Sequence, residues 1–258
     1  MPPMLKRFLA TLGFLSRLVP ARVMDEADMR KSMFHLPLCG LVIGLCACAP
    51  ALAGLFAGSP LVQAWLCVLL SAWLTRGLHL DGLADVMDGA GQHLNPERFW
   101  AIIKDSRSGT FGVAALVLAL LGQTALIAEI LRARPDWGAF ALPWAFVFGR
   151  ACAVVFGRAH RGLIRPGLGG LFLSGATLPA VAWAMCLACG LPALLALALP
   201  AAEGLPALGF AAVAALALLF PLHRLARAVS GVNGDFLGAA IILGETAAFA
   251  GLALALRP

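Results

Sequence analysis

Residues 60–89 read PLVQAWLCVLLSAWLTRGLHLDGLADVMDG, and this stretch decides the fold. Its first part, 60–78, is apolar and long enough to cross a bilayer. Its end carries Asp81, Asp85 and Asp88, three of only 13 acids in a chain of 258 residues. Carboxylates are costly beside a membrane, so three in one short run need a reason. The i, i+4, i+7 spacing places them within about 60° of one another on a helix. Like charges that close repel unless a cation sits between them, and one or two divalent ions are the usual answer. A solvated helix end is the plainer reading. It fits poorly, because acids at the C-terminus of a helix running on from 60–78 oppose its dipole.

The rest of the chain extends the same pattern. It is 61% hydrophobic and 12% charged, with a mean hydropathy of +0.92, whereas soluble domains are nearer half apolar and a quarter charged. The expected fold is all-α: a polytopic transmembrane helical bundle forming one integral membrane domain over residues 1–258. Apolar windows at about 33–57, 60–78, 112–131, 137–156, 178–199, 205–222 and 236–256 predict about seven spans. Pro37, Pro143, Pro179 and Pro206 fall near their starts, where a missing N–H costs little. No cleavable signal peptide is evident, since Arg17, Arg22 and Asp25 interrupt the first apolar run. Met4–Val19 reads instead as an amphipathic helix on the membrane surface, with Leu5, Phe8, Leu9, Leu12 and Leu15 near one face. The seven cysteines all lie in apolar segments and read as small buried hydrophobes, Cys186 and Cys189 included.

Basic residues orient the spans. On the seven-span reading, sixteen of the 19 Lys and Arg fall on the N-terminal side, and only Arg132, Arg134 and Arg257 on the other. That asymmetry places the N-terminus in the cytoplasm. Residues 1–31 become a cytoplasmic amphipathic segment and 79–111 a cytoplasmic active-site loop. The split also accounts for the net charge of +6. No base-stacking aromatic pattern accompanies the charges, so no nucleic-acid partner is expected. The partner implied by composition is the lipid bilayer.

Three further constellations carry polar chemistry. Lys104 to Gly112 (KDSRSGTFG) offers Asp105 as a fourth carboxylate and Arg107 as a planar fork for phosphate oxygens. Ser106, Ser108 and Thr110 offer hydroxyls at a helix start that favours anions. Arg158, His160, Arg161 and Arg165 precede a glycine-rich stretch. They read equally as positive-inside topology or as anion binding, and Arg150 stands at the edge of the same region. Asn233-Gly234-Asp235 begins the last span, with Glu245 ten residues on and nearly on the same face; an ionisable group inside a span is a functional candidate by default. His79 and His93 flank the acidic run, and by helical angle His79 points away from the three aspartates.

Clustered carboxylates beside phosphate-compatible cations suggest magnesium on a diphosphate, with a carboxylate accepting a proton from an attacking hydroxyl. Phosphoalcohol transfer and prenyl transfer both use this logic, and the residues alone do not separate them. A cation-coupled transporter would spread ionisable groups through the outer half of the membrane as well. Here the acids crowd one face, which favours an enzyme.

A resemblance narrows the choice. The run Leu78 to Gly89 (LHLDGLADVMDG) resembles the signature of the cobalamin synthases, or adenosylcobinamide-GDP ribazoletransferases. Asp105-Ser106-Arg107-x-Gly109-Thr110-x-Gly112 is similar to that family's second motif. Gly234-Asp235-x-Leu237-Gly238-Ala239 with Glu245 is similar to its C-terminal one. Phe14-Leu15-Ser16-Arg17 resembles a Phe-Leu-Thr-Arg-Ile-Pro segment, with Val19 standing before Pro20. The resemblance implies a bacterial inner-membrane transferase of vitamin B12 assembly. Such an enzyme joins adenosylcobinamide-GDP to alpha-ribazole or its 5′-phosphate, releases GMP and requires magnesium (Mg2+). It also implies roles. Asp81, Asp85, Asp88 and Asp105 would hold one or two magnesium ions on the diphosphate, and one of them or Asp235 would act as base. Arg107, with Arg150, Arg158 or Arg161, would hold phosphate oxygens. His79, Ser106, Thr110 and Glu245 complete the expected substrate site. A homo-oligomer, or a complex with other B12-assembly enzymes, is the expected assembly. Asp85-x-x-Asp88-Gly89 also resembles part of the CDP-alcohol phosphotransferase motif, but the Ala-Arg pair expected soon after is absent.

Overall fold

The computed structural model describes residues 3–105, 107–198 and 204–256. In order, the helices are α1 (Pro3–Leu15), α2 (Glu26–Ala47), α3 (Ala49–Leu52), α4 (Pro60–Leu74), α5 (Leu78–Ala90) and α6 (Pro96–Ile103), followed by α7 (Thr110–Ala133), α8 (Gly138–Ala159), α9 (Leu168–Leu173), α10 (Leu178–Ala198), α11 (Gly204–Ala228) and α12 (Gly234–Ala255). The protein is all-α with apolar helices of membrane-crossing length, as its composition predicts.

Among the described residues, length and apolarity qualify four helices as spans (α7, α8, α11 and α12), or five if the bent pair α4–α5 counts as one. Seven was expected. The difference has local causes. Helix α2 starts at Glu26, with Asp28, Arg30 and Lys31 in its first turns, so Pro37 lies in its interior rather than at its start. Helix α4 stops at Leu74 after 15 residues.

Helices α8 and α12 form the centre: 78% of each apolar window is buried, against 22% for α7 and α11. They cross at glycines. A Cβ on Gly244 would come 2.8 Å from Gly149 Cα, the close approach that small residues allow between apolar helices. Helix α1 docks on α2 through Leu12 and Leu15, both buried. An Arg7 Nε–Asp28 Oδ1 pair of 2.7 Å ties the two. All seven cysteines are free.

The four segments expected on one side of the membrane gather at one end of the bundle. Arg76 Nη2 donates to the carbonyls of Gly13 and Phe14, at 3.0 and 2.8 Å, and caps α1. Arg30 Nη1 donates to Ser174 Oγ at 3.2 Å. Trp100 Nε1 donates to Val229 O at 3.1 Å, and Arg165 lies 4.3 Å over the Trp100 ring. A parallel bridge joins Ile164 to Val232, so the glycine-rich stretch is pinned to the start of α12. His160 and His223 bond to each other at 2.9 Å.

Candidate active site

The site begins with a bend. Arg76 and Gly77 are both left-handed (φ 56° and 70°), and they turn the chain by 88° between α4 and α5. Glycine takes this conformation freely, while Arg76 bears a cost of about 1–2 kcal/mol. The bend corrects the dipole argument made from sequence. Asp81 does not stand at the C-terminus of a long helix; it occupies the first turn of a new one, where a negative charge is favoured. Residues 79–111, expected as a loop, are largely the helices α5 and α6.

Helix α5 lies across the first turns of α7 and α12. Two contacts fix it. Gly82 packs so closely on α12 that a Cβ there would come 2.8 Å from Asp235 O and 2.9 Å from its Cα; one on Gly238 would come 3.1 Å from His79 O. At the other end, Asp88 accepts from Gly109 N (2.6 Å) and Gly112 N (2.7 Å). Gly109 is the N-cap residue of α7 and has no side chain to satisfy these amides; a carboxylate from α5 does so instead. Asp88 is therefore an anchor as well as a charge. The three motifs singled out in the sequence meet through these contacts. A Gly82→Ala substitution is expected to lower stability by about 1–3 kcal/mol, read as a lower thermal midpoint in detergent with a parallel loss of turnover.

Asp85 feels the charges of Asp81, Asp88 and Asp235, while Asp105 has a partner of its own. Burial pushes the Asp85 carboxyl up to about 6, and Asp81, Asp235 and Asp88 add to the effect. Asp235 thus joins the group from the far end of the chain. Asn233 orients it, donating Nδ2–H to Asp235 Oδ2 at 2.6 Å. Asp105 stays apart. Its carboxylate is gripped by Arg107 Nε and Nη2, the latter at 2.7 Å, and Arg107 holds it down at about 2.

Asp81 lies between two cavities. The larger, about 680 Å³, is lined by Arg76, Asp81 and Ser108 among apolar residues including Phe14 and Leu80. The smaller, about 180 Å³, is lined by His79, Asp81, Asp235 and Gly238 among others. His79 is buried, with no partner on Nε2 among the described residues. Thr110 is exposed at the first position of α7. Ser106 lies outside the described residues.

Four of the expected substrate contacts are not drawn into this group. Arg150 and Glu245 pair with each other between α8 and α12, with exposures of 0% and 2%, so neither reaches a phosphate from there. Arg158 and Arg161 sit at the end of α8 and just beyond it, and neither forms an ion pair among the described residues. Sequence reasoning missed Arg76 and Asn233 as members of the site, whereas Ser108 was among the hydroxyls it offered for anion binding. Asn233 had a signal, an N-cap residue directly before Gly-Asp at a helix start. Arg76 had none, because its place depends on the bend.

Among the described residues, no three His, Cys, Asp or Glu side chains form a ready-made metal cage. Magnesium does not need one: it commonly takes one or two carboxylates, waters and substrate phosphates. Hard oxygen donors that repel one another, as these do around Asp85, fit such an ion.

Comparison with known proteins gives the site a context. A family model described as cobalamin-5-phosphate synthase matches residues 7–253. An adenosylcobinamide-GDP ribazoletransferase of Nitratidesulfovibrio vulgaris (strain Miyazaki F) is 44% identical over 94% of this chain and 93% of its own. The enzyme of that name from Citrobacter koseri is 39% identical over 94% of this chain and 97% of its own. No solved structure matches.

Proposed function

The chain belongs to the cobalamin-5-phosphate synthase family, and on that premise we propose that this transferase joins adenosylcobinamide-GDP to alpha-ribazole or its 5′-phosphate. GMP leaves, and adenosylcobalamin or its phosphate forms. The observation that carries the reading is the packing of Gly82, next to Asp81 in the first motif, on Asp235 of the last, which puts both aspartates on one cavity, with Arg76 and Ser108 on the larger cavity that Asp81 also lines.

Asp81 and Asp85 would hold magnesium, with Asp88 behind them. The bound ion would neutralise the diphosphate and the charge that develops on the departing GMP oxygen. Asp235 would act as the base. Asn233 occupies its Oδ2 and sets the orientation of the carboxylate, leaving Oδ1 to accept the ribazole hydroxyl proton. The hydroxyl oxygen then bonds to the phosphorus on the cobinamide side, and the bond from that phosphorus to the GMP oxygen breaks. Arg76 and Ser108 line the cavity where phosphate oxygens would lie. Arg107 reaches them by exchanging Asp105 for phosphate.

The gathering of the basic segments at one end of the bundle supports a site on the cytoplasmic face of the bacterial inner membrane. The test is direct. Purified protein in bilayers is incubated with adenosylcobinamide-GDP, alpha-ribazole 5′-phosphate and magnesium, and GMP is measured. Release that stops on chelation and returns with magnesium is expected. Absence of magnesium-dependent GMP overturns the reading.

A further inference from the structure

The back of α5 faces a third cavity that this chemistry does not use. Leu83, Met87 and Ala90 follow the same i, i+4, i+7 spacing as the three aspartates, displaced by two residues, or about 200° round the helix. One face of α5 therefore carries the carboxylates and the opposite face an apolar stripe. That stripe forms one wall of a groove of about 630 Å³, completed by Leu218 and Phe220 of α11 and Leu243 of α12, within the size of small-molecule sites (about 300–1,000 Å³). Exposed Arg224 and His93 also line it, and no carboxylate does. Beside His93, Leu94 is 88% exposed at the α5–α6 turn, as suits a turn dipping into lipid.

We propose that one anionic phospholipid occupies this groove, its acyl chain behind α5 and its headgroup phosphate on Arg224. The apolar groove takes the chain and the cationic, acid-free lining selects the charge. The lipid presses α5 onto the first turns of α7 and α12, which holds the carboxylates in place. Only this last coupling rests on the transferase reading; the lipid site stands without it.

The experiment uses the full chain in nanodiscs of phosphatidylcholine with or without phosphatidylglycerol. Native mass spectrometry after mild delipidation counts the lipid retained, and GMP release is followed in parallel. Wild type is expected to retain phosphatidylglycerol over phosphatidylcholine and to turn over faster with it. Arg224→Gln is expected to lower that preference about fivefold, the effect of one cation near an anionic surface. Leu218→Trp, which fills the groove and keeps Arg224, is expected to lose the retained lipid. Equal retention of the two lipids by wild type overturns the proposal, as does an unchanged preference in Arg224→Gln. Displacement of the lipid by adenosylcobinamide-GDP, or a second chain in its place, also overturns it. Lipid retention without any GMP release upholds the lipid site and removes the transferase reading instead.

Discussion

Asp85→Asn is expected to reduce GMP release by at least 10²–10³-fold, on the order seen when transition-state charge loses its stabilisation, while the protein folds and inserts normally. The reasoning combines geometry and charge. Asp85 is the carboxylate on which Asp81, Asp235 and Asp88 all act, so it is the point where a bound cation relieves most repulsion. The amide is nearly the same shape and cannot carry the charge.

Stability should move the other way. A carboxyl whose folded pKa is raised costs stability as it ionises, so the folded state loses stability as pH rises from the ordinary carboxylate range through about 6. Asparagine removes that cost, and the thermal midpoint of the variant at pH 7 is expected to equal or exceed that of wild type. The same titration predicts that wild-type activity at limiting magnesium falls as pH drops below about 6, because a protonated carboxyl releases the ion. Excess magnesium is expected to shift that fall to lower pH. Near-normal turnover by a folded Asp85→Asn protein removes the central claim.

The second large effect is expected in the interior. Arg150 and Glu245 face each other between α8 and α12 with almost no exposure, at the level where Gly149 and Gly244 let the two helices touch. Neither charge can reach water if its partner is lost. Arg150→Ala or Glu245→Ala is expected to cost about 3–5 kcal/mol, seen as loss of folded protein from the membrane fraction. Replacing both with apolar residues, Arg150→Met with Glu245→Leu, is expected to restore accumulation, because a well-packed apolar pair often equals a buried ion pair. A stable Arg150→Ala protein that loses only turnover would falsify the structural role and return Arg150 to the substrate site where sequence reasoning put it.

Much of the site was legible in the chain. The i, i+4, i+7 spacing of Asp81, Asp85 and Asp88 foretold a shared helix face, and α5 presents one. The sorting of basic residues among the apolar windows foretold which segments share an end of the bundle. These properties are periodic or compositional, so they survive without coordinates. Individual partnerships were not legible. Arg150 and Glu245 each looked like a substrate contact, since nothing local says that one charge answers the other. Asp105 and Arg107 looked like a metal ligand and a phosphate clamp, but two residues apart on a turn they satisfy each other. Asp88 looked like a metal ligand, and it also caps a helix whose own N-cap residue is glycine.

By itself the sequence determined an all-helical membrane protein whose acids and bases crowd one face, because hydropathy and charge act through the bilayer whatever the path of the chain. Only the tertiary structure decided that α4 and α5 part at Arg76 and Gly77, and that Asp235 arrives against Gly82. Those facts depend on two backbone dihedrals and on glycine surfaces close enough to touch, and neither leaves a period in the sequence.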